Sequence, residues 1–146
     1  MSARFRCCIA LVLSLPGMVA ALEFRSIAEP GAVLFDAPAG KASKLFILSA
    51  GYPVEVIVNT GGWSKVRDQT GQLAWIEDKH FSSRHYVMVK KHGAEARRAP
   101  EDTAPVVFSA ELDVYLELIE ASAGWAKVRH ADGATGFVKI TQLWGL

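Results

Sequence analysis

Two copies of a short motif bring together one aromatic side chain and two cations. The members alternate along the chain, and they are Trp63, Lys65 and Arg67 in the first copy and Trp125, Lys127 and Arg129 in the second. Because successive side chains of a β-strand point to opposite faces, each triplet would lie on one strand face. An indole beside two cations can stack on a sugar or peptide group and receive a carboxylate. The alternative is structural, with the indole packed over a core and the cation stems laid across apolar surface.

Few other residues indicate chemistry. Tyr52 and Tyr115 adjoin long irregular stretches and are weaker candidates for the same ligand groove. His80, His85 and His92 match no standard zinc spacing, so we interpret them as part of a solvated connector. The sequence has no Gly-x-Ser-x-Gly motif, no His-Glu-x-x-His motif and no glycine-rich phosphate loop. It therefore predicts no catalytic residue, no metal and no cofactor.

The triplets belong to a longer repeat with an offset of 62 residues. Residues 32–76 align with residues 94–138 without a gap, and 13 of the 45 aligned pairs are identical. The best-preserved stretch reads GWSKVR in the first copy and GWAKVR in the second. A fixed period predicts a repeated supersecondary unit. A duplicated small β-module is more often a binding unit than an enzyme.

Each copy has the pattern of short β-strands separated by turns. Runs rich in β-branched residues at 53–59 and apolar residues at 114–120 are each followed by a glycine-containing break and a second run. Asp132-Gly133 between apolar runs is a strong hairpin signal. Helical periodicity is missing after the N-terminal segment. We therefore expect each copy to form a small barrel of five or six mostly antiparallel strands.

A three-residue loop at 60–62 gives the expected register of the first hairpin. The expected pairs are Glu55–Arg67 and Ile57–Lys65 on the outer face, and Val56–Val66 and Val58–Ser64 on the inner face. The second copy repeats the outer pairs as Glu117–Arg129 and Ile119–Lys127. Exposed Glu–Arg pairs of this kind contribute about 0.2–1 kcal/mol. The expected core residues are Val56, Val66, Ile76, Leu118, Val128 and Val138.

The first 21 residues have the order of a secretory signal peptide. Arg4 and Arg6 precede a nine-residue apolar run, and small residues follow at 19–21. Cleavage there would remove Cys7 and Cys8, which are the only cysteines. It would leave 14 of the 16 Lys and Arg residues against 15 Asp and Glu residues, for a net charge of −1. A near-neutral chain argues against nucleic acid as the partner, and we expect periplasmic localisation with no stable membrane anchor after cleavage.

Charge is unevenly distributed around the centre of the chain. Residues 79–98 hold six Lys and Arg residues and a single acid, whereas residues 101–120 hold six acids and no Lys or Arg. One interpretation is a pair of solvated faces that attract each other between the modules. The other is a basic seam that meets an anionic wall polymer or a lipid surface.

The combined pattern resembles the bacterial SH3-like domain family. Each copy has Ala-Pro, a long loop, a β-rich strand, Gly-Trp-x-Lys-Val-Arg and a turn before an aromatic-aliphatic pair, in GWSKVRDQTGQLAWI and GWAKVRHADGATGFV. The family's usual Gly-Trp-Val ending is Ala74-Trp75-Ile76 in the first copy and Gly136-Phe137-Val138 in the second. The resemblance implies an all-β fold of two tandem small SH3-like β-barrels after an N-terminal signal peptide. The expected domains are residues 1–21 as signal peptide, 22–82 as first module, 83–93 as basic connector and 94–146 as second module.

The resemblance also implies a function. Members of the family are thought to bind cell-wall peptides or envelope proteins, often as targeting modules. We therefore expect a non-catalytic periplasmic adaptor that recognises a cell-wall peptide or an envelope protein. The Trp-Lys-Arg faces, with Tyr52 and Tyr115, are the expected ligand-binding residues. The alternative is a small envelope hydrolase or accessory enzyme with an unrecognised site.

Overall fold

Two antiparallel β-sheets, one from each repeat, form the computed structural model, which describes residues 22–146. The predicted signal peptide of residues 1–21 lies outside the described residues. The first sheet consists of β1 (Glu23–Ser26), β2 (Ala32–Phe35), β3 (Lys44–Leu48), β4 (Pro53–Thr60), β5 (Trp63–Arg67) and β6 (Leu73–Glu77). The second sheet consists of β7 (Tyr86–Val89), β8 (Ala94–Arg97), β9 (Val106–Ala110), β10 (Tyr115–Ser122), β11 (Trp125–Arg129), β12 (Thr135–Lys139) and β13 (Leu143–Trp144). We call each sheet with its core a module.

The strand order of the first sheet recurs in the second, which has β13 as an additional edge strand. The order is β1-β4-β5-β6-β2-β3 in the first sheet and β13-β7-β10-β11-β12-β8-β9 in the second. Strands β2 to β6 recur as β8 to β12 at an offset of 62 residues, which confirms the predicted repeat. A 3₁₀ turn follows the last long strand of each module, at Asp78–His80 and Ile140–Gln142. Within the predicted connector 83–93, residues Tyr86–Val89 form β7 of the second sheet.

Each sheet has its own hydrophobic core. The six predicted core residues all belong to these clusters: Val66, Ile76, Val128 and Val138 are fully buried, while Val56 and Leu118 are partly buried against them. Burial alternates along β5 and β11, with Ser64 and Val66 inside in the first and Ala126 and Val128 inside in the second. The predicted alternation therefore leaves both Trp-Lys-Arg triplets on the outer face.

The register of both central hairpins differs from the prediction at one point. Glu55 pairs with Arg67 and Val56 with Val66 as expected, but a β-bulge between Val56 and Val58 shifts the following pairs. Val58 therefore lies opposite Lys65 and is 47% exposed, so the predicted Val58–Ser64 and Ile57–Lys65 pairs are wrong. The same bulge after Leu118 places Glu120 opposite Lys127, so the predicted Ile119–Lys127 pair is wrong as well.

The bulge has its origin in the turn. Gly61 and Gly62 both have positive φ angles, +58° and +82°, which is the geometry of a two-residue turn rather than the expected three-residue loop. A turn that is one residue shorter shifts the pairing of the two strands by one residue. The bulge takes up that extra residue, so the pairs beyond it keep the expected register. The second hairpin has the same turn at Ala123 and Gly124, with φ angles of +51° and +84°.

The modules pack against each other through β1 and β4 of the first and β7 and β13 of the second. The Ser26 hydroxyl accepts a hydrogen bond from the Tyr86 backbone nitrogen at 2.8 Å and donates one to the Tyr86 carbonyl oxygen at 3.3 Å. The Phe24 and Trp144 rings meet edge to face, with centroids 5.0 Å apart. Met88 lies on the outer face of β7 between two core residues, yet it is only 2% exposed. We refer to this contact region as the module junction.

Candidate functional site

The outer face of the second module carries an aromatic groove. Trp125 and Lys127 project from β11, and the adjoining strand β12 places Phe137 opposite Lys127 and Lys139 opposite Trp125. On the other side, β10 contributes Glu120 opposite Lys127. These pairings follow from the antiparallel register, which brings cross-strand neighbours within contact distance.

The groove itself has a volume of about 410 Å³. Its lining, which we call the Trp125 groove, consists of Pro100, Glu120, Ser122, Ala123, Trp125, Lys127 and Phe137. The Lys127 ammonium lies 5.9 Å from the centroid of the Phe137 ring, within the range of a cation–π contact. Two aromatic rings, a proline and a small residue give an apolar surface, and one cation and one carboxylate lie at its side. Such a surface can hold a flat or apolar group and pair with a charged end of the same ligand.

A smaller polar cavity also borders Trp125. It has a volume of about 170 Å³, and Arg97, Asp102 and Lys139 line it together with Trp125. The Lys139 ammonium lies 5.7 Å from the Trp125 ring centroid and forms an ion pair with Asp102. The Arg97 guanidinium donates to the Ala104 carbonyl oxygen at 2.8 Å. Because Lys139 and Arg97 already have partners, their main effect is to position the indole and the 98–105 loop.

The outer face of the first module carries the equivalent residues Trp63 and Lys65, but the side chains around them differ. Trp63 packs edge to face on Phe35, with ring centroids 5.5 Å apart, and Phe35 is itself buried. Phe35 also lies opposite Trp75 across β2 and β6. The residue that matches Phe35 in the second module is Arg97, so Trp125 lacks this aromatic support. The structural interpretation of the indole therefore fits Trp63, and the ligand-binding interpretation fits Trp125.

The arginines of both triplets lie at the far end of their strands. Arg67 forms an ion pair with Glu55, and Arg129 forms one with Glu117, each at 3.3 Å. The predicted cross-strand Glu–Arg pairings are therefore confirmed, but the Glu55 side chain, which was expected to be exposed, is only 7% exposed. Arg129 is not among the residues that line the Trp125 groove. The structure thus brings Trp125 and Lys127 together at the groove and places Arg129 in a structural pair.

Tyr52 and Tyr115 lie at the module junction, away from both Trp faces. Their rings contact each other edge to face, with centroids 6.1 Å apart. Burial raises the pKa of the Tyr52 phenol and that of the Tyr115 phenol above the ordinary value near 10. Tyr115 also lines an open cleft of about 500 Å³ at the junction, beside Arg84 and Tyr86. The two tyrosines therefore join the modules.

Sequence reasoning missed five of the seven members of the groove, among them Phe137, Glu120 and Pro100. Phe137 was noted only as part of a family ending, although strand alternation and the hairpin register place it beside Lys127. Glu120 was hidden by the bulge, which moves it opposite Lys127. Pro100 comes from an irregular loop, and no local pattern indicated where that loop would lie.

Over residues 22–146, no group of three or more His, Cys, Asp and Glu side chains is arranged to hold a metal ion. Within that same range, none of the helices has the length and apolar character needed to cross a membrane.

Comparison with known proteins bears on the fold. A family model described as a bacterial SH3 domain matches residues 28–82 and again residues 90–145. The chain belongs to the bacterial SH3 domain family. The predicted all-β fold of two tandem SH3-like domains is therefore confirmed, and both matched regions include the Trp-Lys-Arg motif. A comparison with curated proteins gives no match.

Several solved structures are similar to this chain at low identity. NlpC2 from Trichomonas vaginalis is 12% identical, with 85% of this chain and 48% of that chain covered and a TM-score of 0.38. NlpC1 from the same organism is 14% identical, with 93% and 50% covered and a TM-score of 0.37. An NlpC/P60 family protein from Bacillus cereus is 15% identical, with 84% and 56% covered and a TM-score of 0.36. The chain thus spans about half the length of these structures.

Proposed function

We propose that this protein is an exported, non-catalytic module that binds a cell-wall peptide through the Trp125 groove. Membership of the bacterial SH3 domain family supports a cell-wall ligand. The order of charged, apolar and small residues at 1–21 supports export to the periplasm. The observation that carries the proposal is the groove itself, where Trp125, Phe137 and Pro100 form an apolar surface beside Lys127.

The chemistry of the groove favours a peptide with a carboxylate. An indole and a phenyl ring offer flat apolar surface to the backbone and side chains of a short peptide. Lys127 is partly buried over Phe137, and its ammonium can pair with a ligand carboxylate. Glu120 beside it would repel a second carboxylate at that position, which favours one orientation of the ligand.

The repeat supplies a matched control for the test. The chain without its predicted signal peptide, residues 22–146, is titrated by calorimetry with soluble peptidoglycan stem peptides. Trp125→Ala and Lys127→Met are expected to weaken binding by about tenfold or more, since each such contact is worth 1–2 kcal/mol or more. Lys65→Met changes the equivalent residue of the first module and is expected to leave the affinity unchanged. Affinity should also fall as salt rises, because exposed charges are screened over about 8–10 Å at physiological ionic strength.

The same experiment separates the competing outcomes. Equal losses for Lys65→Met and Lys127→Met would contradict an assignment to the second module. No binding by the parent protein would contradict the wall-peptide ligand. Capture of an envelope protein that Trp125→Ala abolishes would keep the groove and replace its ligand by a protein partner.

A further inference from the structure

A polar cavity opens in the first module at a place where the second module has apolar residues. It has a volume of about 470 Å³ and lies among the ends of β1, β4 and β5 and the 3₁₀ turn at Asp78–His80. Its polar lining consists of Glu23, Arg25, Asn59, Ser64, Asp78, Ser82 and Ser83, and Val56 and Phe81 complete the wall. This cavity shares no residue with the Trp125 groove.

Three side chains in the cavity form a connected hydrogen-bond network. The Ser64 hydroxyl, which is fully buried, donates to Asp78 Oδ1 at 2.6 Å. The Asn59 amide donates to Asp78 Oδ2 and to the Ser64 hydroxyl oxygen, each at 3.0 Å. The Asp78 carboxylate is therefore held in one orientation by neutral donors. A carboxylate has about four acceptor sites, so it can still accept from a ligand in the cavity.

The network lacks a compensating cation. Among the described residues, no Lys, Arg or His nitrogen lies within 4.0 Å of the Asp78 carboxylate. Arg25 lines the same cavity but pairs with Glu23 at 3.1 Å, and its guanidinium lies over the Phe81 ring. With two carboxylates and one guanidinium, the cavity carries a formal charge of −1. Such a charge favours one monovalent cationic group as the occupant.

The second module shows that the fold does not need this network. At the offset of 62 residues, the counterparts of Asn59, Ser64 and Asp78 are Ala121, Ala126 and Ile140. The hairpin and the 3₁₀ turn form there all the same, without any of the three polar side chains. The counterpart of Arg25 is Val87, a fully buried core residue. The polar cavity is therefore a feature that distinguishes the first module from the second.

We propose that this cavity is a second binding site, which takes a primary ammonium group. An ammonium has three donors and no acceptor, so it matches an oriented carboxylate with nearby hydroxyl and amide oxygens. A quaternary ammonium has no such donors, and the cavity offers its oxygen acceptors only to a cation that can donate. The same chemistry occurs in an amino sugar and in the free amino end of a peptide. The proposal does not depend on the ligand of the Trp125 groove.

The test uses pairs of probes in which acetylation converts the charged amine into a neutral amide. Residues 22–146 labelled with ¹⁵N are titrated with glucosamine and with the dipeptide alanyl-alanine, and separately with the N-acetylated form of each. A free amine is expected to shift the backbone amide signals of Ser64 and Asp78 and to leave those of Ala126 and Ile140 in place. The acetylated forms are expected to shift neither pair, and whichever free amine binds more tightly identifies the source.

Two variants and one control complete the experiment. Asp78→Asn keeps the size of the side chain and removes its charge, so the affinity for the free amine should fall about tenfold or more. The double change S64A/D78I copies the second module and should abolish the shifts. Trp125→Ala is the control and should leave amine binding unchanged. The proposal is overturned if neither free amine shifts Ser64 and Asp78, if the acetylated probes bind equally well, or if Asp78→Asn retains the affinity.

Discussion

Two arginines at equivalent positions provide a matched test of how burial changes the contribution of an ion pair to the free energy of unfolding. Arg67 and Arg129 each lie 3.3 Å from a cross-strand glutamate. The Glu55 side chain is only 7% exposed, and among the described residues Arg67 is its one cationic partner. The Glu117 side chain is 22% exposed, and it has a second cation at 4.0 Å in Arg84. Replacing the arginines by methionine keeps much of the side-chain stem and removes the guanidinium, with its charge and its donors.

The two replacements are expected to differ in cost. Arg67→Met leaves the Glu55 carboxylate nearly buried and without a cation, and an uncompensated buried charge of this kind costs about 3–5 kcal/mol. Because the Arg67 side chain is 45% exposed, water can reach the site once the guanidinium is gone, and we expect a loss nearer to about 2 kcal/mol. Arg129→Met leaves Glu117 with Arg84 and with solvent, so the expected loss is about 1 kcal/mol or less.

Urea unfolding followed by tryptophan fluorescence measures both free energies of unfolding. The double variant E55Q/R67M should recover part of the loss of Arg67→Met, since a neutral amide removes the unpaired charge. The slope of the free energy against urea should stay constant, which shows that the surface exposed on unfolding is unchanged. Equal losses for the two arginine variants, or a larger loss for Arg129→Met, would refute the argument from burial.

Three further predictions concern the backbone, the packing of β12 and the junction. Ala123 lies at φ +51° in a turn where the first module has Gly61, so Ala123→Gly should raise the free energy of unfolding by up to about 1 kcal/mol, and an unchanged value would contradict strain there. A Cβ on Gly136 would lie 2.9 Å from a Cβ of β8, so Gly136→Ala should cost about 1–3 kcal/mol in the same assay. Because the pKa values of Tyr52 and Tyr115 are raised on folding, the folded protein holds protons that the unfolded chain releases near pH 10. The free energy of unfolding should therefore keep its full value below about pH 10 and fall as the pH rises further. A free energy of unfolding that does not change above about pH 10 would contradict the buried junction.

Much of the fold could be predicted because the two copies share one local pattern. The 62-residue repeat and the alternation in β5 and β11 were enough for β4 to β6, for β10 to β12, for the core residues and for the Glu–Arg pairs. Strands β3 and β9 were missed, because they lie in the stretches expected to be irregular. The bulge was missed because a three-residue loop keeps Val58 inward, whereas Gly61-Gly62 favours a two-residue turn. The turn chemistry outweighed the apolar character of one side chain, which the structure leaves exposed.

The candidate site was only partly predictable for a different reason. Trp125 and Lys127 share a strand, so their common face follows from the strand period. Trp63 and Trp125 differ in the residue that a nearby strand supplies. In the first module β2 supplies Phe35, and in the second module β8 supplies Arg97 at the equivalent position. Such a difference becomes meaningful only once the sheet order is known. The junction likewise depends on how two outer faces meet, which no local pattern encodes.

The most direct test of the central claim is the response of individual indoles to a wall peptide. The chain has four tryptophans, and each gives one indole N–H signal in a ¹H–¹⁵N spectrum. On titration of residues 22–146 with a soluble peptidoglycan stem peptide, the Trp125 signal is predicted to shift and saturate together with the amide signals of Lys127 and Phe137. The Trp63 signal, from the indole packed on Phe35, is predicted to stay in place. Equal shifts of Trp63 and Trp125, or a saturating shift elsewhere that leaves Trp125 unmoved, would contradict the account.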